Sequence, residues 1–349
     1  MNERKKINFV IAIVLVTIVI TTAVPVTAGK GVFLFELPVE GATGFCSIDM
    51  TLYECFDKAV IVDTLVAGTP FTIKGESESM FFIDTIINNH EFYGWVDKYT
   101  TLINLPDIIP SIVYYDSNSN ASLFKSSGVD LPHITGEQLY DCYTYNERFD
   151  EEQYVMPVLY DMACKIYLAQ QAALKDGNSL KIYETYRPHS VQLNVCSTLS
   201  ELMSNNSTVY NGISSWGKGW FISTGYSNHQ RGRAMDVSLV KIDEMENRSS
   251  GDCDFSVVAS YTEYVMPTEM HELSTKAITF KYAVGRDAWQ TAPLSKGMQK
   301  SEGALLLQQY CTNAGMTPLA SEWWHFDDTT CPDKCTGSFL IDTCLSETP

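Results

Sequence analysis

Two short stretches, almost a hundred residues apart, constrain this chain more than any other feature. The first is Ser227-Asn228-His229-Gln230-Arg231-Gly232-Arg233-Ala234-Met235-Asp236, and the second is Glu322-Trp323-Trp324-His325. Together they offer two imidazoles, one carboxylate able to face a metal, and a second carboxylate three residues before the last imidazole. A catalytic zinc centre takes three protein ligands from His nitrogen and Asp or Glu oxygen and keeps a fourth position open. His229, Asp236 and His325 satisfy that recipe. Glu322 stands where it could take a proton from a water at the open position, or alternatively orient His325. One isolated histidine is ordinarily structural, so the expectation rests on the joint pattern. A fold that uses it must bring distant segments onto one ion.

The pattern S-x-H-x-x-G-x-A-x-D followed by E-x-x-H resembles the signature of the zinc D-alanyl-D-alanine peptidases. These share a fold with lysostaphin-type endopeptidases and the hedgehog signalling domain. Ser227, His229, Gly232, Ala234, Asp236, Glu322 and His325 match it position by position. The form Glu322-Trp323-Trp324-His325-Phe326 is most similar to the dipeptidases of vancomycin-resistance clusters. Upstream, Tyr186-Arg187-Pro188 resembles the family's Y-R-P, whose arginine faces the scissile carbonyl. The likeness runs from about Asp150 to about Asp327. It implies a zinc cofactor held by His229, Asp236 and His325, Glu322 as the base and Arg187 as oxyanion donor. A structural salt bridge is the other reading of Arg187. Ser227 would touch the substrate peptide or cap the turn. The implied reaction is hydrolysis of a D-Ala-D-Ala bond in peptidoglycan stem peptides or in the free dipeptide. The alternatives are a wall endopeptidase and, as in hedgehog, a zinc-containing wall-binding protein without turnover.

Compartment narrows that choice. Arg4-Lys5-Lys6, the apolar run Phe9 to Ile20 and the small residues Val26-Thr27-Ala28 read as an export signal over residues 1–28. An uncleaved anchor is the competing reading, because Ile7 to Val26 is long enough to span a bilayer. Either way the bulk of the chain is expected outside the cytoplasm, secreted, wall-associated or anchored. That location suits a D,D-carboxypeptidase acting on stems better than a dipeptidase acting on a cytoplasmic pool. The formal net charge of −18 excludes nucleic acid as a partner and leaves membrane contact to the N-terminal segment alone. Ten cysteines in an exported chain suggest disulfides. Cys331, Cys335 and Cys344 lack the paired spacing of a zinc ribbon and are expected to staple a C-terminal tail, 331–349. Cys164 and Cys311 fall on apolar helix faces and would instead be buried thiols.

At 349 residues the chain is expected to hold two domains of α+β class. Residues 30–105 carry short β-rich runs, Ala59-Val60-Ile61-Val62 and Phe71-Thr72-Ile73-Lys74, separated by Gly68-Thr69-Pro70 and Gly75. Their end, Tyr93-Gly94-Trp95-Val96, resembles the closing strand of bacterial SH3-like barrels. A β extension of the enzyme without a ligand of its own is the alternative, and His90 beside Asn88-Asn89 reads as a turn residue. Residues 106–330 are then the peptidase domain, a central antiparallel sheet flanked by helices. A connecting segment opens at Leu105-Pro106, with Ile112, Val113, Leu123 and Phe124 as buried anchors. Leu159, Met162, Ala163 and Ile166 mark a helix stopped at Gly177. Strands are expected over Leu180–Tyr186, Ala234–Val240 and Glu322–Phe326. Helices are expected over Val191–Met203 and around Leu307, Tyr310, Cys311 and Ala314. The Gly- and Trp-rich stretch to Ser227 reads as a loop bordering the cleft, and acidic Lys241–Asp254 as turns. His271-Glu272 begins like a helical zincin motif, but Thr275 stands where its second histidine belongs, so His271 is at most a residue behind the metal ligands or in the cleft.

Overall fold

A computed structural model describes residues 32–330. The signal or anchor segment and the cysteine-bearing tail lie outside the described residues. Among those described, five helices and two large, mostly antiparallel sheets make an α+β protein. No described helix is long and apolar enough to cross a membrane.

The N-terminal part is an eight-stranded antiparallel sheet. Its strands run in the order Pro157–Leu159, Thr101–Asn104, Thr43–Cys46, Pro70–Glu76, Met80–Ile87, His90–Asp97, Met50–Tyr53 and Ile61–Leu65. Asn88 and Asn89 both take positive φ (52° and 63°), the pairing a two-residue hairpin between right-twisted strands requires. His90 therefore opens a strand. The sheet draws one edge strand, Pro157–Leu159, from beyond residue 105, paired with Thr101–Asn104. Helix α1 (Tyr160–Lys175) follows that strand directly. Its first residue, Tyr160, meets Phe35, Phe81 and Tyr99 edge-on at 5.6–6.1 Å. Lys98, fully buried, lies 2.7 Å from Glu76 and over the Phe81 and Tyr160 rings. One continuous apolar core then reaches from Phe81 and Ile83 through Met162 and Ile166 to Met235, Trp323 and Trp324.

The second sheet orders its strands Thr317–Leu319, Glu322–Asp327, Ala234–Ser250, Asn178–Glu184 and Val113–Tyr114, the last pair parallel. Helix α1 buries Met162, Ala163, Ile166, Ala169 and Ala173, the expected 3–4 spacing, and ends at Gly177 with φ +74°. Helices α2 (His189–Asn205), α3 (Ser207–Ile213), α4 (Lys296–Lys300) and α5 (Glu302–Asn313) complete the set. Helix α3 occupies part of the stretch expected as loop. The Asn206 side chain creates it by accepting the N–H groups of Thr208 and Val209 at 2.9 and 3.2 Å.

Lys241–Asp254 is not a run of turns. The Ala234–Ser250 strand continues through it and folds back at Gly251 as Cys253–Glu263. Polar residues persist here because the arm stands in solvent and pairs its polar side chains across strands: Thr262 with Asp243, Ser256 with Asn247, Ser249 with Asp254, at 2.7–2.9 Å. The disulfide expectation also fails among the described residues. No disulfide joins the described cysteines; Cys46, Cys164 and Cys311 are buried in the apolar core, while Cys142 meets Ser119 Oγ at 2.9 Å and Cys196 accepts from Lys218 Nζ at 3.2 Å.

Candidate metal centre

Register explains how distant residues meet. Asp236 is the cross-strand partner of His325 on one side and of Glu184 on the other. Three neighbouring strands thus present Glu184, Asp236 and His325 in a row. Strict alternation would send Glu322 and His325 to opposite faces, being three apart. The pairing slips between Pro318 and Leu319, and the irregular strand end lets Glu322 Oε2 come within 3.9 Å of His325 Nδ1.

His229 arrives from the loop before the Ala234–Ser250 strand. Gln230, fully buried, fixes this loop by accepting the Ser227 N–H at 2.5 Å and donating to the Arg187 carbonyl at 2.7 Å. Ser227 Oγ accepts the His229 N–H at 3.3 Å, a turn cap, while Ser227 also lines the cleft. Gly232 takes φ +64°, and a Cβ there would lie 2.2 Å from Leu102 Cδ2 and 3.1 Å from the Leu159 nitrogen. The Leu159 N–H donates to its carbonyl at 2.8 Å. The loop is thus seated on the edge of the N-terminal sheet, which only glycine permits.

The three candidate ligand atoms converge. His325 Nδ1 lies 2.9 Å from Asp236 Oδ1 and 3.2 Å from His229 Nε2, and His229 Nε2 lies 3.4 Å from Asp236 Oδ1. All three residues are buried. Their outer partners dictate which nitrogen carries hydrogen. His229 Nδ1 faces the Thr185 carbonyl at 2.7 Å and His325 Nε2 faces Asp327 Oδ1 at 3.0 Å, both acceptors. Each ring therefore turns a lone pair inward, toward the other and toward a carboxylate oxygen. Such a cluster needs a positive charge at its middle. Tetrahedral coordination at about 2.0–2.1 Å spaces ligand atoms roughly 3.3 Å apart, so this donor set fits a zinc ion.

Electrostatics agree. Burial would push Asp236 up, but the surrounding imidazoles hold its carboxyl well below the ordinary range. Burial opposes charge on His325, yet Asp327 and Asp236 outweigh it and push the imidazole up to about 10. Without a metal, a proton on His325 supplies the missing charge. Asp327 is held below its usual range despite burial, chiefly by His325. Burial pushes Glu322 up to about 8, with His325 acting the other way.

Arg187 is buried and heavily committed. Its Nε and Nη2 donate to the Glu184 carboxylate, Nη2 also to Asp236 Oδ2 at 3.2 Å, and Nη1 to Gln192 Oε1 at 2.8 Å. Of its five N–H groups, four are engaged among the described residues, and the residue also lines the cleft. Asp236 Oδ2 also receives His271 Nε2 at 3.0 Å. The cleft over these groups has a volume near 460 Å³ and is walled by Phe124, Trp220, Ile222, Tyr226, Leu273 and Trp324.

Sequence reasoning missed Asp327, Glu184, Gln192 and Gln230. Asp327 carried a signal, since two residues beyond His325 on a strand is the same face. Glu184 and Gln192 carried none, as their role follows from register and from the start of α2.

Two imidazoles and a carboxylate around one point, with a carboxylic acid beside them at the floor of a cleft, define a metal-dependent hydrolase centre. A family model described as D-ala-D-ala dipeptidase matches residues 140–336, more than half the chain, and the chain belongs to that family of zinc-dependent metallopeptidases. No curated protein matches the chain.

Proposed function

We propose that this protein is a zinc D,D-carboxypeptidase that removes the terminal D-Ala from peptidoglycan stem peptides outside the cytoplasmic membrane. Its family gives the coarser statement, a zinc peptidase for D-Ala-D-Ala-type substrates. The observation that supports turnover rather than binding alone is Glu322, a buried carboxyl 3.9 Å from His325 and lining the same cleft as His229 and Asp236; the choice of carboxypeptidase rests on the export signal read in residues 1–28. His229, Asp236 and His325 would hold a zinc ion, which would supply a Lewis acid able to bring the pKa of water to roughly 7 and to polarise a carbonyl. Glu322 takes the proton from the attacking water and returns it to the leaving amine. A carboxyl raised above its usual range suits both halves of that task. The remaining Nη1–H of Arg187 faces the oxygen where charge develops, and one such donor is worth roughly 3–4 kcal/mol of barrier. Trp324, Phe124 and Leu273 exclude bulk water, and Ser227 lies beside the bound peptide.

The cleft's volume suits a small peptide, and the basic-then-apolar residues 1–28 support an exported enzyme. The N-terminal sheet is proposed as an SH3-like module that docks on the wall. Hydrolysis of the free dipeptide is the second reading, favoured by the enclosing aromatic walls. Incubation with a pentapeptide stem, with D-Ala-D-Ala and with cross-linked peptidoglycan, followed by product masses, separates the options. Free D-Ala from the stem is expected. Larger fragments would mean an endopeptidase, and no product a binding protein.

A further inference from the structure

A second cluster, Glu184, Asp236 and His271, also brings three potential ligand atoms together and shares Asp236 with the first. Its cation is already present. Arg187 lies on both Glu184 and Asp236 Oδ2, so no second ion is needed there. That leaves His271 to be explained. It is fully buried, its Nε2 lies 3.0 Å from Asp236 Oδ2, and its Nδ1 has no hydrogen-bond partner among the described residues. A carboxylate only accepts, so Nε2 carries the hydrogen and donates it.

The surrounding chain holds the ring in that one position. His271 takes φ +60°, left-handed backbone that a side-chain-bearing residue rarely adopts. The Glu272 carboxylate accepts the N–H groups of Ser127 and Gly128 and the Ser274 hydroxyl, clasping the segment to residues 125–128. Lys125 N–H donates to the His271 carbonyl, and Leu273 N–H to the Lys125 carbonyl. The imidazole is stacked on Phe124 with centroids 4.3 Å apart and planes 14° apart, and Trp324 closes the edge at 6.0 Å. A buried nitrogen left unpaired and a strained backbone are retained where the ring's other nitrogen has work to do.

We infer that His271 is a positioning residue for the metal ligand Asp236: with Arg187 it occupies Oδ2, so that Oδ1 alone is turned toward His229 and His325. The inference rests on the zinc-site reading above and extends it. The carboxylate then binds through one oxygen, which keeps the fourth coordination position from being taken by its second. Loss of an outer partner of this kind typically costs 10–100-fold in metal affinity.

The test is zinc affinity of the purified full chain, by competition with a chromophoric chelator, for wild type, His271→Leu and His271→Gln. One zinc per chain is expected for wild type. His271→Leu should bind zinc roughly 10–100-fold more weakly, and His271→Gln, whose amide N–H can reach Oδ2, should recover part of that loss. In the cobalt(II)-loaded forms, the visible band of His271→Leu should weaken as the freed oxygen raises the coordination number. A ring that merely packs would lower the metal-free unfolding temperature of both variants without separating their zinc affinities, and that outcome overturns the inference. Unchanged affinity in His271→Leu overturns it as well while leaving the zinc site standing. A wild-type chain that binds no zinc sinks both, and two ions per chain would assign the second cluster to a metal instead.

Discussion

The Ala234–Ser250 strand is buried along its first seven residues and exposed along nearly all the rest. Both halves carry charge, and the contrast shows what burial does to it. In the first half a single carboxylate, Asp236, is surrounded by His229, His325, His271 and Arg187, because an unpaired charge there would be prohibitive. In the second half Arg248 and Glu151 meet at 3.2 Å with both side chains about 40% exposed, where water screens the pair. The same backbone ladder thus supports a site at one end and a solvated arm at the other.

The contrast can be broken or sharpened by experiment, beginning with the buried end. Glu322→Gln should keep zinc by elemental analysis while the release of D-Ala falls roughly 10²–10⁴-fold. Undiminished turnover would remove Glu322 from the chemistry. Next is the pH dependence of zinc binding. In the metal-free protein His325 holds a proton up to about 10. Zinc must displace it, so affinity should rise about tenfold per pH unit as pH climbs toward 10 and level off above it. The complementary effect is on stability: the contribution from protonated His325 is complete below about 6.5 and is lost as pH rises through 10. A flat competition profile below about 10 would show that zinc displaces no proton from His325. Gly232→Ala should cost about 1–3 kcal/mol by denaturant titration, since the new methyl lands on Leu102 in a left-handed turn. At the exposed end, Arg248→Ala should change stability by less than about 0.5 kcal/mol. A larger loss would mean that the arm is held far more tightly than its exposure implies.

That His229, Asp236 and His325 could meet was readable in the sequence because metal chemistry permits few residue types, and the fold does bring their ligand atoms together. Periodicity gave α1 through Met162, Ala163 and Ile166, with Gly177 as its stop, and α5 through Leu307, Tyr310 and Cys311. What could not be read was whatever depends on register. Glu184 entered the site only because antiparallel pairing sets it opposite Asp236. His271 was named only as a residue behind the ligands or in the cleft, without a partner, because its ring is aimed by a left-handed backbone and by Phe124, neither of which leaves a spacing pattern. Lys241–Asp254 misled because polar, turn-favouring residues are tolerated in a strand that faces water on both sides.

The family-matched segment begins at residue 140, yet its strand Pro157–Leu159 finds its only ladder partner among the described residues in Thr101–Asn104, upstream of that point. A piece severed at the family boundary would therefore emerge with a raw β-edge and with the seat beneath Gly232 stripped away. Bare ladder groups of this sort recruit other chains. Grafting this peptidase onto a new carrier consequently means transplanting the upstream sheet with it.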